Sequence, residues 1–129
     1  MSPIARFSLV ALDCPDPEAL AAFYGAITGW SVAADEGDAD WVELTSDRGA
    51  TLAFQLDPDH RPPAWPDGAA QQAHLDFDVD DLDEGERQVL ALGAVKTEVQ
   101  PKPHRWRVYL DPAGHPFCLV RAESEVDRQ

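Results

Sequence analysis

The chain has 129 residues, 24 acidic against 10 basic, with a formal net charge of −14 at pH 7, and a pI near 4.3. That length fits one domain with a shared core, and the charge argues against nucleic acid or an anionic membrane as partner, since both reward Lys and Arg. No run approaches the roughly 18 apolar residues of a membrane span, and residues 1–15 carry neither a basic stretch nor a long apolar stretch of the kind that directs secretion. Cys14 and Cys118 have no metal-knuckle or redox spacing. A reduced, cytoplasmic protein is the expectation.

In chain order, residues 7–12 alternate as a strand buried on both faces. Asp16 is placed to cap a helix with Pro17 at its first position and Glu18 in its first turn, and Leu20, Phe23, Tyr24 and Ile27 form an i, i+3, i+4, i+7 stripe that Gly29 ends. A short strand over 31–34 is expected next, then alternating strands over 41–45 and 51–56 joined through Asp47, Arg48 and Gly49. Residues 57–72 hold Pro58, Pro62, Pro63 and Pro66, too many for a central strand or helix, and read as a linker.

The same order of signals then returns, offset by about 64 residues. Residues 74–79 form a strand, and Asp81 and Glu84 have capping-box spacing. Leu82, Val89 and Leu92 supply the buried stripe of a second helix, with Gly93 at its C-terminal end. A short strand over 95–99 precedes strands over 106–110 and 117–120, joined by the tight turn Asp111, Pro112, Ala113, Gly114. Each half reads βαβββ: module 1 over residues 5–56, module 2 over 73–121, and a tail over 122–129.

Several phrases carry a family resemblance: Asp16-Pro17-Glu18 leading to Phe23-Tyr24 and Gly29-Trp30; Trp65-Pro66-Asp67 followed by Gln71-Gln72 and His74-Leu75-Asp76; Leu92-Gly93-Ala94; and Asp111-Pro112-Ala113-Gly114-His115-Pro116-Phe117-Cys118. In order and spacing they make the chain similar to the vicinal oxygen chelate superfamily, and within it to the glyoxalase-like (glyoxalase/bleomycin resistance/dioxygenase) domains. The resemblance implies an α+β fold over residues 1–129, with two tandem βαβββ modules forming a half-open, cleft-containing mixed β-sheet barrel with helices outside, and commonly a homodimer. In metal-using relatives four ligands come from the first and last strands of each module. Carried over position by position, they fall on Leu9, Gln55, His74 and Cys118, of which only His74 is a usual ligand. Leu9 has no donor, and the Gln55 amide is a weak one, so no metal is assigned to that set. Asp76 and Asp78 share a strand face with His74, which keeps a divalent ion at a shifted site open.

The ligand-binding candidates are Phe7, Leu9, Gln55, Trp65, His74, Asp76, Arg107 and Cys118. Strand parity places Phe7, Leu9, Ala11, Ala53, Gln55, His74, Asp76 and Cys118 on the concave face, a mostly apolar lining with a few polar groups. Trp65, in the linker, would act as a lid. Trp41 and Trp106 divide evenly between core and cleft. Arg105 or Arg107 would reach over the cleft to hold an anionic group, with salt bridging to surface carboxylates as the plainer reading. His74 is the best candidate for a catalytic group, because histidine exchanges protons near neutral pH. Cys118 reads as a small buried hydrophobe or, paired with His74, as a nucleophile.

Three functions compete. The first is binding of an apolar or aromatic small molecule without a catalytic metal or other cofactor. The second is a lyase, isomerase or dioxygenase that uses a displaced metal site or His74 as acid/base. The third is an interaction module with a vestigial cleft.

Overall fold

The structure, a computed structural model, describes residues 6–33, 39–64 and 73–122. The chain divides into two compact units at His60/Arg61, inside the proline-rich stretch, and the described part of that stretch, 57–64, holds neither helix nor strand. Each unit is one βαβββ module.

In the first, β1 (Val10–Cys14) leads to α1 (Pro17–Thr28), followed by β2 (Ser31–Val32), β3 (Trp41–Thr45) and β4 (Thr51–Leu56). These strands form a four-stranded sheet in the order β1-β4-β3-β2, with β1 parallel to β4 and the other pairs antiparallel. The helix begins where the sequence places it: the Asp16 carboxylate accepts from the Ala19 N–H at 3.1 Å, Pro17 needs no donor partner in the first turn, and Gly29 closes the helix at φ 76°. Leu20, Phe23 and Tyr24 are buried, and the Tyr24 ring stacks on Phe54 of β4 at 5.8 Å between centroids. That contact fixes Leu52, Phe54 and their parity partners as the helix-facing side of the sheet.

The second module repeats the plan: β5 (Leu75–Val79), α2 (Leu82–Ala91), β6 (Val95–Lys96), β7 (Trp106–Leu110) and β8 (Pro116–Arg121), in the sheet order β5-β8-β7-β6 with β5 parallel to β8. Its helix side is aromatic, with Phe77 edge-on to Phe117 and Tyr109 stacked on Phe117. Gly85 of α2 sits so close to the sheet that an added Cβ would come within 3.1 Å of Leu119 Cδ1 and 3.3 Å of Val79 Cγ1. The fold is therefore α+β, two four-stranded mixed sheets each with one helix, and neither sheet closes into a barrel.

Several details differ from the sequence reading. β1 begins at Val10, where pairing to β4 begins, and Phe7 is 80% exposed. Leu92 is 42% exposed because it is the C-cap of α2 and lies past the buried stripe. The capping box is half formed: Asp81 accepts from the Glu84 N–H, but the Glu84 carboxylate turns outward to Arg87 and Gln88. Gly93, at φ 110°, follows that cap, and the Ala94 N–H closes the end onto the Val89 carbonyl. β2 and β6 have two residues each.

The register sharpens the internal repeat. Val10 pairs with Leu52 and Leu75 with Phe117, so counterpart strands lie 65 residues apart. Leu9 then corresponds to His74 as expected, but the counterpart of Cys118 is Ala53, and Gln55 corresponds to Val120. Gln55 and Cys118, the two last-strand ligand positions that the resemblance implies, are therefore not counterparts in the repeat.

Candidate functional site

A two-residue period sends alternate side chains of a strand to opposite faces. In the second sheet one face packs on α2, and the other bears His74, Asp76, Trp106, Val108, Pro116, Cys118 and Val120, which line a cavity of about 400 Å³. Most of this lining is apolar.

The polar corner is compact. His74 Nε2 lies 3.2 Å from Asp76 Oδ1, because residues two apart on an extended chain point the same way. Asp76 stands directly across the parallel pair from Cys118. His74, Asp76 and Cys118 each offer one ligand atom, all within 4.8 Å of one another. Burial, the negative charge of Asp76 and the hydrogen bond to its carboxylate together push the Cys118 thiol up to about 12. A thiol held that high is protonated at neutral pH, which weighs against the nucleophile reading.

Three of the eight expected ligand-binding residues, His74, Asp76 and Cys118, line this cavity. Leu9 and Gln55 belong to the first module, where Gln55 is exposed; Phe7 is exposed as well, and Trp65 lies outside the described residues. Arg107 is placed elsewhere than expected. It follows Trp106, so it emerges on the helix side, where its guanidinium meets Asp83 at 2.9 Å and Glu86 at 3.5 Å and its Nε donates to the Pro103 carbonyl. The plainer salt-bridge reading describes it. Among the described residues, no Lys or Arg lines the cavity.

Sequence reasoning left out Val108, Pro116 and Val120. All three were readable from period two, stepping from Trp106 along β7 and from Cys118 along β8. In the first module, the counterparts of the polar corner are Leu9, Ala11 and Ala53, which carry no donor side chain. On that face Glu43 carries a carboxylate, which accepts from Trp41 Nε1 at 2.8 Å.

The glyoxalase-like domain model matches residues 9–120, and the chain belongs to that family. Comparison with curated proteins returns no match. Among solved structures, a glyoxalase/bleomycin resistance protein/dioxygenase family enzyme from Burkholderia phytofirmans is 19% identical over 92% of this chain and 100% of its own, with TM-score 0.70. The fosfomycin resistance protein FosX of Listeria monocytogenes, solved with manganese(II) and a dihydroxypropylphosphonic acid, is 18% identical over 98% and 100%, with TM-score 0.71. FosX of Mesorhizobium loti is 16% identical over 98% of each chain, with TM-score 0.65. These likenesses show the fold.

A ligand set drawn from both modules does not fit this chain. Leu9 and Ala53 have no donor atoms, and Gln55 offers only a neutral amide, so the first module contributes no strong ligand at those positions. No described helix is long and apolar enough to cross a membrane.

Proposed function

We propose that the protein binds an apolar or aromatic small molecule in the cavity of its second module, without the two-module metal chemistry of its metal-using relatives. The observation that carries this reading is the cavity lining: Trp106, Val108, Pro116 and Val120 supply apolar wall, while His74 and Asp76 supply orienting polar groups at one corner. Among the described residues that lining holds no Lys or Arg, which disfavours phosphonates and other strongly anionic ligands, since these need cationic partners. Binding is the primary activity, acting in the cytoplasm, and the functional unit is a homodimer; light scattering of the purified chain tests the latter.

A thermal-shift and calorimetry screen of neutral aromatic compounds tests the proposal. A binder should raise the melting temperature in proportion to the logarithm of its concentration, and Trp106→Ala should weaken it by more than about tenfold. If no compound binds, or if Trp106→Ala leaves affinity unchanged, this cavity is not the binding site.

The His74–Asp76 contact favours a second reading. A carboxylate on Nε2 orients the imidazole and leaves Nδ1 for a substrate proton, the arrangement of an acid/base pair. Under this reading a bound compound is converted, and His74→Ala abolishes turnover while retaining binding.

A further inference from the structure

The first module has lost the donors of a two-module metal centre, yet the second holds three donors of its own. We infer that His74, Asp76 and Cys118 together hold one zinc-class divalent cation, in a site built by the second module alone and open toward the cavity. What distinguishes it from the inherited pattern is Asp76. This residue comes from the same strand as His74, takes the place of any ligand from residues 6–56, and faces Cys118 across the β5–β8 pair.

Donor chemistry selects the ion. One imidazole nitrogen, one carboxylate oxygen and one thiolate sulfur form a borderline-soft set that suits zinc or cobalt(II) better than manganese or magnesium. Three protein ligands with one remaining position is the arrangement of zinc sites that take an exogenous ligand. Here the remaining position faces the apolar cavity that the same three residues line.

Geometry requires little movement. Zinc–ligand bonds of about 2.0–2.3 Å place tetrahedral donors roughly 3.3–3.8 Å apart. The His74–Asp76 pair is already at 3.2 Å, and the widest separation in the cluster does not exceed 4.8 Å. A side-chain rotation of about an ångström closes the set. Binding releases the Cys118 proton to solvent, as metal binding to a thiol does. Among the described residues the cavity lining holds no ammonium or guanidinium to repel the ion, and Arg107 is committed to Asp83 and Glu86 on the other face.

This inference does not rest on the small-molecule reading, and its test uses the metal alone. The full chain, freed of metal with a chelator, is titrated with cobalt(II) and then zinc. Equimolar binding with a thiolate-to-cobalt charge-transfer band is expected, and zinc at a hundredfold excess over its Kd should raise the melting temperature by about 5–10 °C. The band should vanish in Cys118→Ser, and the zinc-induced rise should be lost in Asp76→Asn and in His74→Ala. Gln55→Ala should behave as the parent chain does. Melting of each metal-free variant controls for folding, while the cobalt spectrum of the parent chain needs no variant. Absence of the charge-transfer band in the parent chain would overturn the inference, as would a zinc response that survives Asp76→Asn. A response lost in Gln55→Ala would also overturn it, by pointing to a centre shared with the first module.

Discussion

Asp76 and Cys118 are direct partners in the parallel β5–β8 pair, which places the thiol within 4.8 Å of the carboxylate on the same face of the sheet. The thiol is also shielded from water, with Cys118 only 7% exposed. Both conditions favour the protonated form, burial more strongly than the carboxylate.

Metal-free Cys118 should therefore be a poor nucleophile. Raised from an ordinary value of 9.0 to about 12, it carries roughly a thousandfold less thiolate at pH 8 than the same thiol in the unfolded chain. Alkylation of the folded protein, followed by mass spectrometry of the Cys118 peptide, should be slower than in denaturant by about that factor or more. Asp76→Asn should accelerate it without reaching the unfolded rate, because burial remains. An unchanged rate in Asp76→Asn would show that the carboxylate has no hold on the thiol.

Acid should loosen the second module through α2. The Glu84 carboxyl is held down to about 2 by hydrogen bonds from Arg87 and then Gln88. Burial alone would raise Glu86, but hydrogen bonds from Lys96 and Tyr109, with the charges of Lys96 and Arg107, outweigh it and lower it. Depressed carboxylates contribute stability that is present above their unfolded value near 4.5 and is lost as pH falls through the folded values. Urea midpoints should thus fall between pH 5 and pH 2, and Glu86→Gln should flatten part of that decline. At pH 7, Glu86→Ala should cost about 1–3 kcal/mol by leaving the part-buried Tyr109 hydroxyl without its 2.9 Å acceptor.

Two glycines at the same place in the repeat should respond differently to alanine. Gly49 and Gly114 both close a turn between the last two strands of a module, at φ 89° and 88°. A Cβ on Gly49 meets nothing within 4 Å, whereas one on Gly114 runs into the Cβ of Pro62. Gly49→Ala should cost about 1–2 kcal/mol, the left-handed penalty alone. Gly114→Ala should cost more, by about 1–3 kcal/mol, because the Pro62 segment must also move. Equal losses in denaturant melts would mean that this segment yields freely.

Neighbouring residues of β7 should separate binding from stability. Arg107→Ala leaves the cavity lining intact and removes the partner of Asp83 and Glu86, so chemical melts should show a loss of about 1 kcal/mol with ligand affinity unchanged. Trp106→Ala should do the reverse, weakening the ligand while leaving the α2 contacts in place. A ligand that depends on Arg107 would place the binding site on the helix side of the sheet.

The sequence by itself determined the two βαβββ modules, both helix starts and the family. Those features are local: an Asp that caps, a Pro that suits a first turn, a Gly that reaches positive φ, and apolar residues at one of two periods. Strand parity also identified His74, Asp76 and Cys118 as sharing a face. Tertiary structure decided the rest. Only strand pairing could show that Ala53, and not Gln55, is the counterpart of Cys118, since register is set by partners distant in sequence and a shift of two residues keeps every side chain on its own face. Likewise, Arg107 looked available to a cleft until the packing of α2 against β7 and β8 supplied Asp83 and Glu86 as its partners. Composition tells that a guanidinium will find a carboxylate in so acidic a chain. Which face it turns to depends on where the helix lies.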